Sequence, residues 1–389
     1  IGISKTSGLF EIASRVNKTY AYIFTIALYL VIGPFFALPR LATTSFEIAF
    51  SPFLSPKQIT LYLFIFSFVF FVIAWFFARK PSRILEYIGK FLNPVFLVLL
   101  AIILLFAFIH PLGGISDAPI SKQYQSHALF NGFLDGYNTL DALASLAFGI
   151  IIVATIKKLG IENPTDIAKE TIKSGTISII MMGIIYTLLA IMGTLSIGHF
   201  KLSENGGIAL AQITQYYLGN YGIVLLSLIV MVACLKTAIG LITAFSETFE
   251  HLFPKMNYLA IATVVSFISF LFANVGLTKI IMYSVPVLMF LYPLAIALIV
   301  LTLFSSKFHH SKIIYQCTIF FTMIAALVDG LKASPEFISS TSFSQTLINF
   351  SQKYLPLSDI GMGWVVLSLI GFIIGFIIFK IKHRKIPQA

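Results

Sequence analysis

Apolar residues fall in long blocks along this chain, and short polar or basic stretches cut the blocks apart. A helix rises about 1.5 Å per residue, so a block of about twenty residues crosses a hydrocarbon core roughly 30 Å thick. No water satisfies the backbone inside that core, which leaves helices or closed barrels. The alternating pattern of a membrane barrel is absent. The blocks therefore predict an all-α, polytopic membrane protein with about ten spans. These lie near 19–39, 57–78, 89–110, 135–157, 175–198, 221–247, 257–274, 278–304, 313–330 and 361–380.

The polar stretches predict one transmembrane domain over 1–389 and no soluble domain. Residues 1–18 read as an amphipathic cytoplasmic approach to the first span. They carry no signal peptide and start without Met, so the expectation is that the natural N-terminus lies further upstream. Three outer connections are long: 111–134, 199–220 and 331–360. The second predicts a short helix started at Ser203, and the third, rich in Ser and Thr, an extracellular surface loop. Helix breakers fall inside several spans: Gly33 and Pro34, Gly132 and Gly136, Gly240, and Pro286 and Pro293. Proline removes a backbone donor, and broken helices in transporters put bare backbone groups at the substrate site.

Composition agrees with the pattern. The chain is 58% hydrophobic and 11% charged, against about 25% charged in soluble domains. Its net charge of +11 would suit a nucleic-acid partner only if gathered on one face with stacking aromatics, and no such face is visible. The excess follows topology instead. With both ends inside, the inner segments hold Lys5, Arg15 and Lys18, then Arg79, Lys80, Arg83 and Lys90, then Lys157, Lys158, Lys169 and Lys173, then Lys255, Lys307 and Lys312, and finally Lys380, Lys382, Arg384 and Lys385. The outer side holds far fewer, which is the positive-inside bias. Cys234 and Cys317 lie in spans without metal-ligand spacing and read as small hydrophobes.

Candidate chemistry starts with Lys236, centred in VLLSLIVMVACLKTAIGLITAF. A charge at that depth costs on the order of 2.5–3.5 kcal/mol. At 100° per residue Lys236, Gly240, Thr243 and Glu247 form one polar stripe, with Thr237 on its flank. The stripe is expected to face the protein interior and line an ion or substrate path. Hydroxyls and carbonyls suit a hard cation such as Na⁺, and the lysine itself is an alternative source of positive charge. A structural pair for Lys236 stays open as a second reading. The fourth span offers Tyr137, Asp141 and Ser145 at i, i+4 and i+8. Asp141 is either a partner for a cation or an acid favoured by the helix N-terminus, with Asn138 or Thr139 as the cap. In GPFFALPRLATTSFE, Phe35 and Phe36 are candidates to wall an apolar pocket, while Arg40 is an interfacial anchor or a gate to Glu47. Walker A, GxGxxG, HExxH and GxSxG signatures are missing, so no enzyme and no cofactor is expected.

Several stretches in order, GPFFALPRLATTSFE, NGFLDGYNTLDALASLAFGIII, NGGIALAQ, ACLKTAIGLITAFSETF, NVGLTKIIMYSVPVLMFLYP and ALVDGLKAS, resemble the branched-chain amino acid:cation symporters of the BrnQ type (the LIVCS family). The resemblance covers essentially the whole chain. It implies import of leucine, isoleucine and valine across a bacterial plasma membrane, driven by Na⁺ or H⁺, with both termini cytoplasmic. It also implies a LeuT-type inverted-repeat bundle of twelve spans, of which the ten here are the third to twelfth. The first two, which would complete the site, are expected to be missing. By resemblance Gly136, Tyr137, Thr139 and Asp141 inherit a substrate role, joined by Gly33, Pro34, Phe35 and Ser145. Lys236, Thr237, Gly240 and Thr243 become the ion-coupling set, with a Na⁺ site near Thr237 that the neighbouring ammonium of Lys236 would contest. Competing readings are another neutral amino acid or small-solute carrier, and, in a different class, a channel or intramembrane enzyme. Oligomeric state is not written in the sequence.

Overall fold

The computed structural model describes residues 8–79 and 84–384. Lys5, Lys80, Arg83, Lys385 and the start of the 1–18 segment lie outside the described residues. Among the described residues all regular structure is helical. In chain order the helices are α1 (Leu9–Ser14), α2 (Lys18–Leu30), α3 (Ala37–Ala49), α4 (Pro56–Ala78), α5 (Ile84–Ile109), α6 (Ala128–Asp135), α7 (Asp141–Lys158) and α8 (Pro164–Ser196). There follow α9 (Gly206–Leu252), α10 (Tyr258–Ala273), α11 (Leu277–Phe304), α12 (Lys312–Lys332), α13 (Glu336–Ser339), α14 (Ser342–Tyr354) and α15 (Gly363–Arg384).

Among the described residues seven segments are long and apolar enough to cross a membrane: Lys18–Phe53, Pro56–Ala78, Pro164–Ser196, Gly206–Leu252, Leu277–Phe308, Lys312–Lys332 and Gly363–Lys382. At the other three expected positions, α5 carries the apolar stretch Asn93–Ile109, and Tyr258–Ala273 is apolar but shorter. Helix α7 carries Asp141 in its first turn and Lys157 and Lys158 in its last.

Local chemistry sets the boundaries. Pro56 opens α4 behind a capping box of Ser55 and Gln58. Asn205, not Ser203, caps α9, its side chain accepting from the Ile208 N–H at 3.1 Å. Gly219, at φ +61°, bends α9 between residues 218 and 220, a left-handed backbone that glycine adopts without a Cβ penalty. The short helix expected in 199–220 is therefore present before the kink. The 331–360 stretch corrects the expectation of a loop: it holds α13 and α14. Thr341 caps α14 by accepting from the Ser344 N–H, and Ser344, Ile348 and Ser351 form its buried face. Two of these three are serines, so a hydrophobic pattern could not reveal the face.

The chain forms two compact units. One comprises Leu30–Ile120 and Ile177–Met282 and is called here the α9 unit; the other comprises Ile1–Tyr29, Ser121–Thr176 and Tyr283–Ala389 and is called the α12 unit. Between helices in lipid the hydrophobic effect vanishes, so small residues and cross-helix hydrogen bonds do the holding. In the α9 unit, Ile48 of α3, Ile103 of α5 and Ile223, Leu226 and Ile229 of α9 share one buried cluster. Helices α4 and α10 are tied by polar links: Trp75 Nε1 donates to Thr263 Oγ1 at 2.9 Å, and the Tyr258 hydroxyl to the Ala78 carbonyl at 2.7 Å.

In the α12 unit, α15 lies against α12 through Gly371 and Gly375, a G-x-x-x-G pair. A Cβ on Gly371 would fall 2.6 Å from the Cys317 carbonyl oxygen, and one on Gly375 2.8 Å from the Ile314 Cα. Only glycine lets the two backbones approach this closely. The amphipathic segment before α2 also packs on α12. Leu9, Ile12 and Ala13 are buried, and Gln316 Nε2 donates to the Val16 carbonyl at 2.9 Å.

Candidate functional site

The candidate residues divide between the units. Gly33, Pro34, Phe35, Lys236, Thr237, Gly240 and Thr243 belong to the α9 unit, and Gly136, Tyr137, Thr139, Asp141 and Ser145 to the α12 unit.

In the α9 unit the first span breaks where the sequence predicts. Val31–Phe35 is a widened, π-type turn, and Gly33 leaves helical geometry at φ −99°, ψ −121°. Pro34 supplies no N–H, so the Leu30 carbonyl loses its helical donor. The span then continues as α3 and reaches Phe53, well past the expected end at 39. Gly33 and Pro34 are buried. A Cβ on Gly33 would lie 2.7 Å from the Phe245 ring, which itself stacks on Phe249 at 4.1 Å. Phe35 rests on Phe272 at 5.1 Å and on Phe36 at 6.5 Å. The aromatic wall foreseen for an apolar pocket is thus engaged in ring packing.

The Lys236 stripe differs from expectation. On α9 the buried face is Ala238, Ile239, Leu241, Ile242, Phe245 and Ser246. Lys236, Gly240 and Thr243 are half-buried, and Thr237 and Glu247 exposed. The stripe is thus the less buried side of α9. A Cβ on Gly240 would meet nothing within 4 Å. The Thr237 hydroxyl donates to the Ala233 carbonyl at 2.9 Å, which leaves its lone pairs to accept.

In the α12 unit the fourth span is interrupted rather than continuous. Helix α6 ends at Asp135, a 3₁₀ turn runs over Gly136–Thr139, and Leu140 is left-handed at φ +63° before α7 begins. Thr139 steadies the break: its hydroxyl donates to the Gly136 carbonyl at 2.9 Å and accepts from the Asp141 N–H at 3.4 Å. Tyr137 therefore does not share a helical stripe with Asp141 and Ser145. The i, i+4, i+8 reading assumed one helix, and the 3₁₀ turn and left-handed residue between them change the phase. Ser145 donates to the Ala142 carbonyl at 2.7 Å on the exposed side of α7.

Tyr137 instead turns inward. It is 4% exposed and stacks on Tyr292 of α11 at 4.2 Å with 11° between the rings. Asp329 of α12 and Tyr292 lie within electrostatic reach of its hydroxyl, and the Trp364 indole N–H of α15 lies beside it but outside hydrogen-bond geometry. The Tyr137 hydroxyl, Asp329 Oδ2 and Trp364 Nε1 are all buried with no hydrogen-bond partner among the described residues. Gly330 lets α12 come close to α11 at this level, since a Cβ there would stand 3.2 Å from the Pro286 carbonyl. The sequence reading missed Tyr292, Asp329 and Trp364. Asp329 sits three residues before Lys332, so it reads as the polar end of a span. Tyr292 is one of 16 tyrosines, and Trp364, one of two tryptophans, stands at the start of a span, where tryptophan is a common interfacial anchor.

The loop ahead of the break is anchored to it. Tyr124 donates to the Asp135 carboxylate, which also accepts from Gln123 Nε2 at 3.2 Å. Burial first, then the hydrogen bond and charge of Asp135, push the Tyr124 phenol up to about 12.

A family model described as branched-chain amino acid transport protein matches residues 1–382. The chain is 44% identical to the branched-chain amino acid permease BrnQ of Lactobacillus delbrueckii subsp. lactis, over 94% of this chain and 82% of that one. It is 42% identical to the branched-chain amino acid permease BrnQ of Bacillus subtilis (strain 168), over 97% and 85% respectively. Against the permease of the same name from Escherichia coli (strain K12), identity is 31% over 98% and 84%. No solved structure matches the chain.

Proposed function

Since the chain belongs to the branched-chain amino acid transport protein family, we propose that it imports leucine, isoleucine and valine by secondary active transport coupled to Na⁺ or H⁺. The observation that carries the reading is 42–44% identity, over nearly the whole chain, to proteins named as branched-chain amino acid permeases. The interrupted helix at Gly136–Leu140 supports it, because irregular backbone inside a membrane protein is tolerated where it lines a cavity or is buried in protein. The same proposal includes a LeuT-type inverted-repeat bundle, ten spans of a twelve-span plan, and a bacterial plasma membrane with both termini cytoplasmic. Gly136, Tyr137, Thr139, Asp141 and Ser145, with Gly33, Pro34 and Phe35, are its substrate residues. Lys236, Thr237, Gly240 and Thr243 are its ion-coupling residues. No enzymatic step is part of the reading.

One carrier for three substrates follows from pocket physics. A single methylene is worth about 1–3 kcal/mol in an apolar pocket, so a site that accepts leucine hardly rejects isoleucine or valine. The test is labelled leucine uptake into proteoliposomes holding the full-length gene product. An inward Na⁺ gradient and an inward proton gradient are imposed separately. Uptake under one of them, competed by unlabelled isoleucine and valine within about tenfold of leucine, is expected. Uptake blocked better by another neutral amino acid would favour a neighbouring carrier. Ion currents without stoichiometric leucine movement would make it a channel.

A further inference from the structure

Asp329 is the only acidic side chain among the described residues that is itself classed as buried, at 6% exposure. It lies inside the Lys312–Lys332 span. An unpaired carboxylate there is expensive, and such residues in spans pair with a charge or mark an ion path. The nearest cation along the helix, Lys332, reaches the carboxylate only through its field. Lys332 Nζ donates to the carbonyls of Ser358 and Asp359, at 3.2 and 3.0 Å. Asp329 Oδ2 is left without a partner.

Within electrostatic reach of the carboxylate lies a phenol. Tyr137 brings a buried, unpartnered hydroxyl from the interrupted helix. Tyr292 stacks on that ring and lies within electrostatic reach of the Tyr137 hydroxyl. Pro293, the next residue, removes the N–H that would bind the Met289 carbonyl. A carboxylate, phenolic oxygens and a carbonyl freed by proline are the ligand types a hard monovalent cation takes. A proton on Asp329 answers the same requirement with one charge.

We propose that Asp329, with Tyr137 and Tyr292, forms a further binding site for a coupling cation in the α12 unit, additional to the Lys236–Thr243 set and holding one exchangeable positive charge as Na⁺ or H⁺. This rests on the reading of the chain as a cation-driven carrier, and it names a site apart from the Lys236–Thr243 stripe. The charge enters to neutralise the carboxylate and leaves when the site opens to the other side. Tyr137 couples that event to the substrate break because it belongs to the 3₁₀ turn itself.

The test compares the full-length protein with Asp329→Asn. Binding of ²²Na⁺ and uptake of protons from weakly buffered solution on substrate addition are measured on purified protein, which needs no transport to occur. Loss of one bound Na⁺ per protein in the variant assigns sodium. Loss of the one proton taken up, with leucine exchange retained and no longer pH-dependent, assigns the proton. In either arm gradient-driven accumulation falls at least tenfold. The proposal is overturned if the wild type takes up neither ion, if accumulation in the variant stays within twofold, or if leucine binding weakens a hundredfold while ion binding is untouched. That last result would make Asp329 a partner of the substrate ammonium. Should Asp329→Asn fail to fold, carbodiimide labelling of the wild type decides. Labelling mapped to Asp329 that Na⁺ suppresses, or that rises as pH falls, supports the site; labelling indifferent to both, or absent from Asp329 while other carboxyls react, rejects it. Absence of leucine transport with ion binding at Asp329 intact would sink the transport reading and leave the cation site standing.

Discussion

At Gly33–Pro34 the first span breaks against an aromatic wall, whereas at Gly136–Leu140 the chain breaks against buried hydroxyls, an indole N–H and a carboxylate. Both breaks use the same backbone devices, a glycine and a departure from α geometry. Their surroundings separate them. The first packs Phe245, Phe249, Phe272 and Phe35 around a missing Cβ, and the turn Val31–Phe35 is itself built of apolar residues. The second draws in Tyr137, Asp329 and Trp364, whose polar atoms have no partner among the described residues. Buried polar groups are normally satisfied, so an unsatisfied cluster asks for a ligand. The contrast separates a break that fixes the course of a helix from one that can bind.

The largest effect is expected at Tyr137. Tyr137→Ala removes a buried, stacked ring, a loss of about 3–5 kcal/mol by analogy with buried aromatic truncations. Tyr137→Phe is the sharper variant. It keeps the stack on Tyr292 and deletes a hydroxyl that is buried without a partner, a group that costs about 1–3 kcal/mol when unsatisfied. Thermal unfolding in detergent should therefore show Tyr137→Phe as stable as the wild type or more so, while leucine uptake drops at least tenfold. Uptake that survives in Tyr137→Phe would mean the second break is packing, like the first.

Glycine substitutions should divide the breaks in the opposite sense. Gly33→Ala forces a Cβ to 2.7 Å from the Phe245 ring, an overpacking worth about 1–3 kcal/mol. Phe245→Leu in the same chain makes room, and the pair should be coupled by about 0.5–3 kcal/mol in a double-mutant cycle. Gly136→Ala meets nothing within 4 Å and sits in ordinary right-handed backbone at φ −58°. It should shift stability by no more than about 0.5 kcal/mol. Equal melting losses for the two alanines would remove the structural distinction drawn between the breaks.

Helical class and membrane character were legible because twenty-residue apolar blocks leave few alternatives. The break at Gly33–Pro34 was legible too, since a Gly-Pro pair inside a span interrupts the helical ladder wherever it falls. The 3₁₀ turn after Gly136 was only half legible. Gly136 marked it, but nothing local announces that Leu140 turns left-handed, and one such residue rotates Tyr137 off the face of Asp141. The polar face of α14 was hidden because its buried side is built from Ser344 and Ser351, which hydropathy counts as solvent-facing. Asp329 was hidden for another reason: a carboxylate three residues before a lysine looks like a paired span end. In the fold the Lys332 Nζ hydrogen bonds go to the Ser358 and Asp359 carbonyls, so the lysine acts on Asp329 through its charge alone.

The smallest effect expected concerns how the second break is anchored from outside the span. Tyr124 donates to Asp135, the last residue of α6, one position before the turn. Its phenol is raised from the ordinary tyrosine value of 10.0 to about 12, by burial first and by Asp135 after it. A raised phenol pKa means the folded chain holds the proton more tightly than the unfolded one. The contribution is therefore complete below pH 10 and is lost as pH climbs through about 12. Near neutral pH the phenol keeps its proton, so Tyr124→Phe should leave the pH profile of uptake unmoved and change its rate by about twofold or less, as a surface substitution does. The difference in tyrosinate absorbance between wild type and Tyr124→Phe should contain one group that titrates near pH 12. A group titrating near 10 instead would mean that the Asp135 anchor is loose, leaving Thr139 and the Tyr137–Tyr292 stack to hold the break alone.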